Sequence, residues 1–137
     1  MIRFVPLILA SLLLPLTAQE IAPWLARPAV AAETIHVAFV FDADTTKGYT
    51  VVWSDKMTVQ SALQLIAKSD QGVPFEHQGS GETAFLTAIN GVKNEGVFGA
   101  NWTYRVNDKA GSVSYAICPL AAGDRVEWRF GKFDPSE

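Results

Sequence analysis

The sequence has one cysteine, Cys118, and two histidines, His36 and His77. A single cysteine excludes an internal disulfide, so the fold must be held by packing. Neither histidine stands at ligand spacing from another metal-binding residue type, and no metal site is expected. Nucleophilic chemistry is equally thin. Ser80, between two glycines in HQGSGE, lacks the strand–turn–helix setting of a nucleophile elbow. Cys118 precedes Pro119 at an expected strand end and reads as a buried, inert thiol. A small exported hydrolase using Ser80 or Cys118 with His77 is the one enzymatic alternative, and no catalytic residue is assigned. Asp42 and Asp44 in DADTTKG lack the spread of acids and terminal Glu of a calcium loop, so this stretch reads as a solvated turn.

Long apolar runs are also missing. The longest, Phe4–Ala18, is about fifteen residues, below the ~20 that a membrane-spanning helix needs, and Pro6 and Pro15 interrupt it. With Arg3 before it and the small residues Ala29-Val30-Ala31 after it, residues 1–31 read as a signal peptide and spacer. Residues 32–137 are then one mature, exported domain with no stable membrane anchor; the destination is periplasmic, cell-surface or extracellular. That domain holds nine basic and thirteen acidic residues, a net charge of −4. Such a balance gives no footprint for nucleic acid or an anionic membrane.

What the sequence does have is alternation. Ile35, Val37, Phe39 and Phe41 share one face of a strand starting at Thr34, and Tyr49, Val51 and Trp53 repeat the pattern after the turn. At Thr58, a plausible N-cap, the period changes. Val59, Ala62, Leu63, Ile66 and Ala67 form one stripe of a helix that ends near Asp70 and Gly72. Gly72–Gly99 holds six of the ten glycines. Within it TAFLTAI (Thr83–Ile89) reads as a short strand anchored by Phe85 and closed by Asn90-Gly91. After the connection VKNEGVFGAN come Trp102, Tyr104 and Val106 on one strand, SVSYAI (Ser112–Ile117) on another, and Val126, Trp128 and Phe130 on a last one.

Strand, strand, helix and three or four further strands make an α+β domain, and a β-grasp-like mixed sheet packed on one helix is the specific expectation. The rings of Trp53, Trp102, Tyr104, Trp128 and Phe130 point mostly inward. Phe98 does not belong to any periodic face. Flanked by Gly96 and Gly99, it is a lid over the sheet edge or a contact for a partner.

Four segments, MTVQSALQLIAK, FLTAINGV, NWTYRVND and AAGDRVEWRF, resemble in this order the transcobalamin-like C-terminal domain family, over nearly all of residues 32–137. The resemblance implies a β-grasp-like domain of the kind found in cobalamin carriers and in bacterial secreted and surface proteins. In the animal carriers a large helical domain supplies the other half of the cobalamin site, and this chain has none. The leading expectation is therefore a secreted, non-enzymatic binding module for an unidentified protein or small molecule, without a resident cofactor. Its contact residues would be Phe98, Asn101, Trp102 and Tyr104. The alternative is a corrinoid (cobalamin) or other flat-cofactor site completed by a partner protein.

Overall fold

The computed structural model describes residues 31–136. The expected leader and spacer, residues 1–31, lie outside them except for Ala31.

Two strands open the fold, β1 (Thr34–Val40) and β2 (Thr46–Val52), paired antiparallel from Thr34↔Val52 to Val40↔Thr46. Their turn is locked by Asp42, whose Oδ1 accepts from the amides of Asp44 (2.9 Å) and Thr45 (2.8 Å). As the alternation requires, Ile35, Val37 and Phe39 are buried.

Helix α1 (Val59–Ala67) follows, starting at Thr58. Thr58 Oγ1 accepts from Ser61 N at 3.2 Å and Ser61 Oγ accepts from Thr58 N at 3.3 Å, a reciprocal cap that satisfies two amides at the helix start. Val59, Ala62, Leu63 and Ile66 are its buried stripe, in one core with Ile35, Val37, Phe39, Val126 and Trp128. Burying each of these larger aliphatic side chains contributes roughly 1.5–3 kcal/mol. That tertiary contribution makes a nine-residue helix stable.

Next come β3 (Phe75–Gln78), a short 3₁₀ turn (Gly81–Thr83), β4 (Phe85–Ile89) and β5 (Val92–Lys93), which form a three-stranded sheet in the order β3-β4-β5. Asn90 and Gly91 join β4 to β5 with φ of 50° and 79°, the left-handed pair of a tight hairpin. Finally β6 (Asn101–Val106), β7 (Lys109–Ala110) and β8 (Arg125–Gly131) complete a five-stranded sheet in the order β2-β1-β8-β6-β7. Among the described residues only the β1–β8 pair is parallel. The architecture is α+β, a mixed sheet packed on one helix with a small second sheet beside it.

Four expectations are corrected. Phe85 is not the anchor of its strand: it is half exposed, whereas Ala84, Leu86 and Ala88 are buried. Both faces of TAFLTAI are apolar, so alternation alone could not choose between them, and the pairing with β3, with its irregularity at Glu76/His77, decides. The strand β3 itself falls in the stretch read as loop. Ser112–Ile117 is not a strand either. The chain turns earlier, at Asn107 and Asp108, and β7 pairs with β6 for two residues only. Thereafter Ser114 closes a turn with the amides of Ile117 (3.1 Å) and Cys118 (3.2 Å). The freed carbonyls of Tyr115 and Cys118 accept from Gln60 N (3.1 Å) and Val59 N (3.0 Å), the exposed amides at the start of α1. Capping the helix outcompetes joining the sheet. Cys118 is half-buried rather than buried.

Candidate functional site: a braced loop that presents Phe98

Between β5 and β6, and so between the two sheets, runs the segment 94–100. Its first residue stitches the sheets together. Asn94 Nδ2 donates to the Leu86 carbonyl of β4 at 2.7 Å, and Asn94 Oδ1 accepts from the Trp102 amide of β6 at 2.8 Å. The Trp102 indole donates to the Val92 carbonyl of β5 at 2.8 Å. The base of the loop is thus fixed to both sheets by side chains.

Above it the loop bonds to itself. Glu95 N donates to Ala100 O at 2.9 Å while Glu95 Oε2 accepts from Ala100 N at 2.8 Å. Asn101 mirrors this: its Oδ1 accepts from Gly96 N at 3.0 Å, and its Nδ2 donates to Gly96 O at 2.8 Å and to Gly99 O at 3.2 Å. A Gly99 N to Gly96 O bond of 3.1 Å closes a four-residue turn. Gly96 stands at φ 95°, where a side chain would be strained. The two central residues of this turn are Val97, 92% exposed, and Phe98, 95% exposed. Apolar residues so fully presented on a latched turn leave their surface solvated, a cost the fold itself does not recover.

The four residues expected at the site therefore separate into two pairs. Phe98 and Asn101 belong to the loop, as tip and brace. Trp102 is 6% exposed and lies below it in the core, edge-on to Phe41 and beside Phe130 at 5.2 and 5.3 Å between ring centroids. Tyr104 is half-buried, 5.3 Å from the ring of Trp128, with its hydroxyl donating to the Val113 carbonyl. Burial, with Cys118 nearby, pushes that hydroxyl well above the usual tyrosine range. Trp102 and Tyr104 support the strand under the loop and offer little surface. Val97, Asn94 and Glu95 were not singled out in the sequence. The one local signal for them is the frame itself, apolar Val97-Phe98 between two glycines with Asn94 and Asn101 outside.

Ser80 precedes the 3₁₀ turn and is exposed, His77 lies on β3 with its ring 5.8 Å from that of Phe75, and Cys118 follows the turn at Ser114. No hydrogen bond joins the three among the described residues. Nor does any group of three or more His, Cys, Asp and Glu converge among the described residues, and no helix among them is long and apolar enough to cross a membrane.

Solved structures share this fold. A candidate metal-binding protein of Ruminococcus gnavus ATCC 29149 superposes with a TM-score of 0.56 at 16% identity, covering 74% of this chain and 99% of that one. Haptocorrin in complex with Cbi superposes with a TM-score of 0.61, also at 16% identity, covering 75% of this chain and 26% of haptocorrin. At these identities the likeness is one of fold, and the chain corresponds to about a quarter of haptocorrin. No curated protein matches by sequence. The family described as "Domain of unknown function (DUF4430)" matches residues 57–132, from the start of the helix through the last strand, and the chain belongs to that family.

Proposed function

We propose that the chain is an exported, non-enzymatic binding module of the transcobalamin C-terminal type, which captures its partner with the loop 94–101. The observation that carries this reading is the pair Val97 and Phe98, both over nine-tenths exposed on a turn held by six hydrogen bonds. A stiff loop with an apolar tip loses little conformational freedom on binding, so most of the burial of Phe98 reaches the affinity. Haptocorrin, which carries this fold in part of its length and is complexed with Cbi, supports binding rather than catalysis as the use of the scaffold. Export is supported by the leader pattern of residues 1–31.

The test is a Phe98→Ala chain compared with the native one for partner capture and for melting temperature. Weaker capture with a melting temperature within a few degrees of native supports the reading. Equal capture removes the loop as the binding surface, and a large fall in melting temperature makes Phe98 structural.

Haptocorrin's complex also favours a second reading, a corrinoid or other flat cofactor held between this chain and a partner. The visible spectrum of the chain after incubation with cobalamin and desalting tests it. Absorbance lost on desalting, both alone and with the partner protein, overturns it.

A further inference from the structure

β2 forms one edge of the five-stranded sheet. The hydrogen bonds that flank the β1–β2 pairing show which of its backbone groups are free. At one end Phe41 N donates to Thr45 O (2.9 Å), and at the other Trp53 N donates to Glu33 O (2.8 Å). Bonded and non-bonded pairs alternate along an antiparallel ladder. The bonded pairs are therefore Phe39↔Lys47, Val37↔Tyr49 and Ile35↔Val51. The N–H and C=O groups of Thr46, Gly48, Thr50 and Val52 point the other way. Among the described residues no strand pairs with them and no loop backbone bonds to them.

The other sheet edges among the described residues are blunted. β7 and β5 are two residues long and each carries a lysine, Lys109 and Lys93. β3 is four residues long, carries Glu76 and is irregular at Glu76/His77. Shortness, charge and irregularity keep an edge from pairing with another chain. β2 instead runs seven residues in unbroken register, TKGYTVV, without proline and with Lys47 as its one charge. Val52, 61% exposed, adds apolar surface at its end.

This edge fits a copy of itself. An antiparallel partner that overlaps the whole strand places Tyr49 on a two-fold axis. Thr46 then pairs with Val52 of the second copy and Gly48 with Thr50 of the second copy. Each pair occurs twice and exchanges both of its bonds, about eight backbone hydrogen bonds in all. Lys47 faces Val51, and the two lysines lie roughly 14 Å apart along the strands. That exceeds the screening length of about 8 Å at physiological ionic strength, so no like charges meet. The half-buried Tyr49 rings, each edge-on to Phe39 at 5.8 Å between centroids, meet at the axis as a cross-strand aromatic pair. Because the other edges are blunted, the pairing closes at two chains and does not grow into a fibre.

We propose that β2 pairs antiparallel with β2 of a second copy of this chain, joining two five-stranded sheets into one. A single strand edge is a small interface beside the roughly 1,200 Å² of a stable complex, so the dimer forms at high concentration and dissociates on dilution. β2 lies three strands from β6, which the loop 94–101 enters, so the proposal stands whether or not that loop captures a partner.

Sedimentation equilibrium of the purified chain, from about 10 μM to about 1 mM, should show a reversible monomer–dimer equilibrium. Over the same range, hydrogen exchange at Thr46, Gly48, Thr50 and Val52 should slow as the dimer fills. Lys47, Tyr49 and Val51, already bonded to β1, should change little. Thr50→Pro removes one outward N–H and leaves the β1 ladder intact, since an edge strand tolerates proline where its N–H faces solvent. Gly48→Lys sets two ammonium groups diagonally across the axis. The monomer accepts it, because a Cβ at Gly48 meets nothing within 4 Å, and it keeps the test valid if the proline variant unfolds. Each substitution should weaken dimerisation about tenfold, with the melting temperature of the dilute chain within a few degrees of native. Phe98→Ala should leave the dimer unchanged. A chain still monomeric at the top of the range, a dimer that neither edge substitution weakens, or slowed exchange spread evenly over β2 would overturn the proposal.

Discussion

Asn101 and Gly96 are joined by two reciprocal hydrogen bonds, side-chain amide against backbone amide, at 3.0 and 2.8 Å. The carboxamide copies the donor and acceptor of a strand residue and so extends the ladder around a bend that no strand could follow. This pair, more than any apolar contact, sets the direction of Phe98.

Asn101→Ala should therefore free the tip without removing it. The brace is largely solvated, and losing it should cost about 1 kcal/mol of stability. Hydrogen exchange at Gly96 should quicken far more than at core amides, and partner capture should weaken although Phe98 is intact. Unchanged exchange at Gly96 would show that the loop is held by Glu95 alone.

Asn94→Ala should be the more damaging substitution. Its side chain serves the Leu86 carbonyl and the Trp102 amide, one on each sheet. Alanine leaves both without partners in a half-buried setting, at roughly 1–3 kcal/mol for each group left unsatisfied. Chemical denaturation of the two variants gives the order directly: Asn94→Ala should have the lower midpoint. The reverse order would mean that the sheets are joined by packing rather than by this amide.

The two core tryptophans should respond differently to loss of the indole nitrogen. Trp102 Nε1 donates to the Val92 carbonyl at 2.8 Å, whereas Trp128 Nε1 is buried without a partner. Trp102→Phe abandons a hydrogen bond and an acceptor as well as volume. Trp128→Phe loses volume but relieves an unsatisfied donor. Trp102→Phe should be the costlier by about 1 kcal/mol, the worth of one hydrogen bond. Trp128→Ala, which empties a site 2% exposed at the centre of the core, should cost about 3–5 kcal/mol. Equal midpoints for the two phenylalanine variants would refute the assignment.

Much of this framework is legible in residue order because period and burial are tied by geometry. Ile35, Val37 and Phe39 recur at every second position, the larger apolar set against His36, Ala38 and Val40, and read as one face of a strand; Val59, Ala62, Leu63 and Ile66 read as one face of a helix. Where both faces are apolar, as at Phe85 and Leu86, the pattern is ambiguous and pairing decides. FEHQ (Phe75–Gln78) has no alternation to read, since β3 is an edge strand exposed on most of its length. SVSYAI alternates as a strand would, but its carbonyls are claimed by the amides of α1, a long-range demand that local pattern does not encode. The site was half visible for the same reason. Phe98 stands out as an aromatic without a period, whereas the braces at Asn94, Glu95 and Asn101 are polar side chains bonded to backbone and leave no periodic trace.

Tyr104 supplies a prediction in alkaline solution. Burial, then a hydrogen bond and charge interaction with Cys118, raise its hydroxyl above the ordinary value of 10.0, and burial raises Tyr115 too. The folded chain therefore keeps protons that the unfolded chain releases. Their contribution to stability is complete below about pH 10 and is lost as the pH rises beyond it. Followed by tyrosinate absorbance, these two hydroxyls should ionise late, in step with loss of the native circular dichroism. In Tyr104→Phe the late amplitude should fall by about half, one hydroxyl of two, and the alkaline midpoint should move upward because one of the groups driving unfolding is gone. A late amplitude unchanged by the substitution would mean that Tyr104 ionises on the folded surface, and its bond to the Val113 carbonyl could not then be the lock between β6 and the turn that caps the helix.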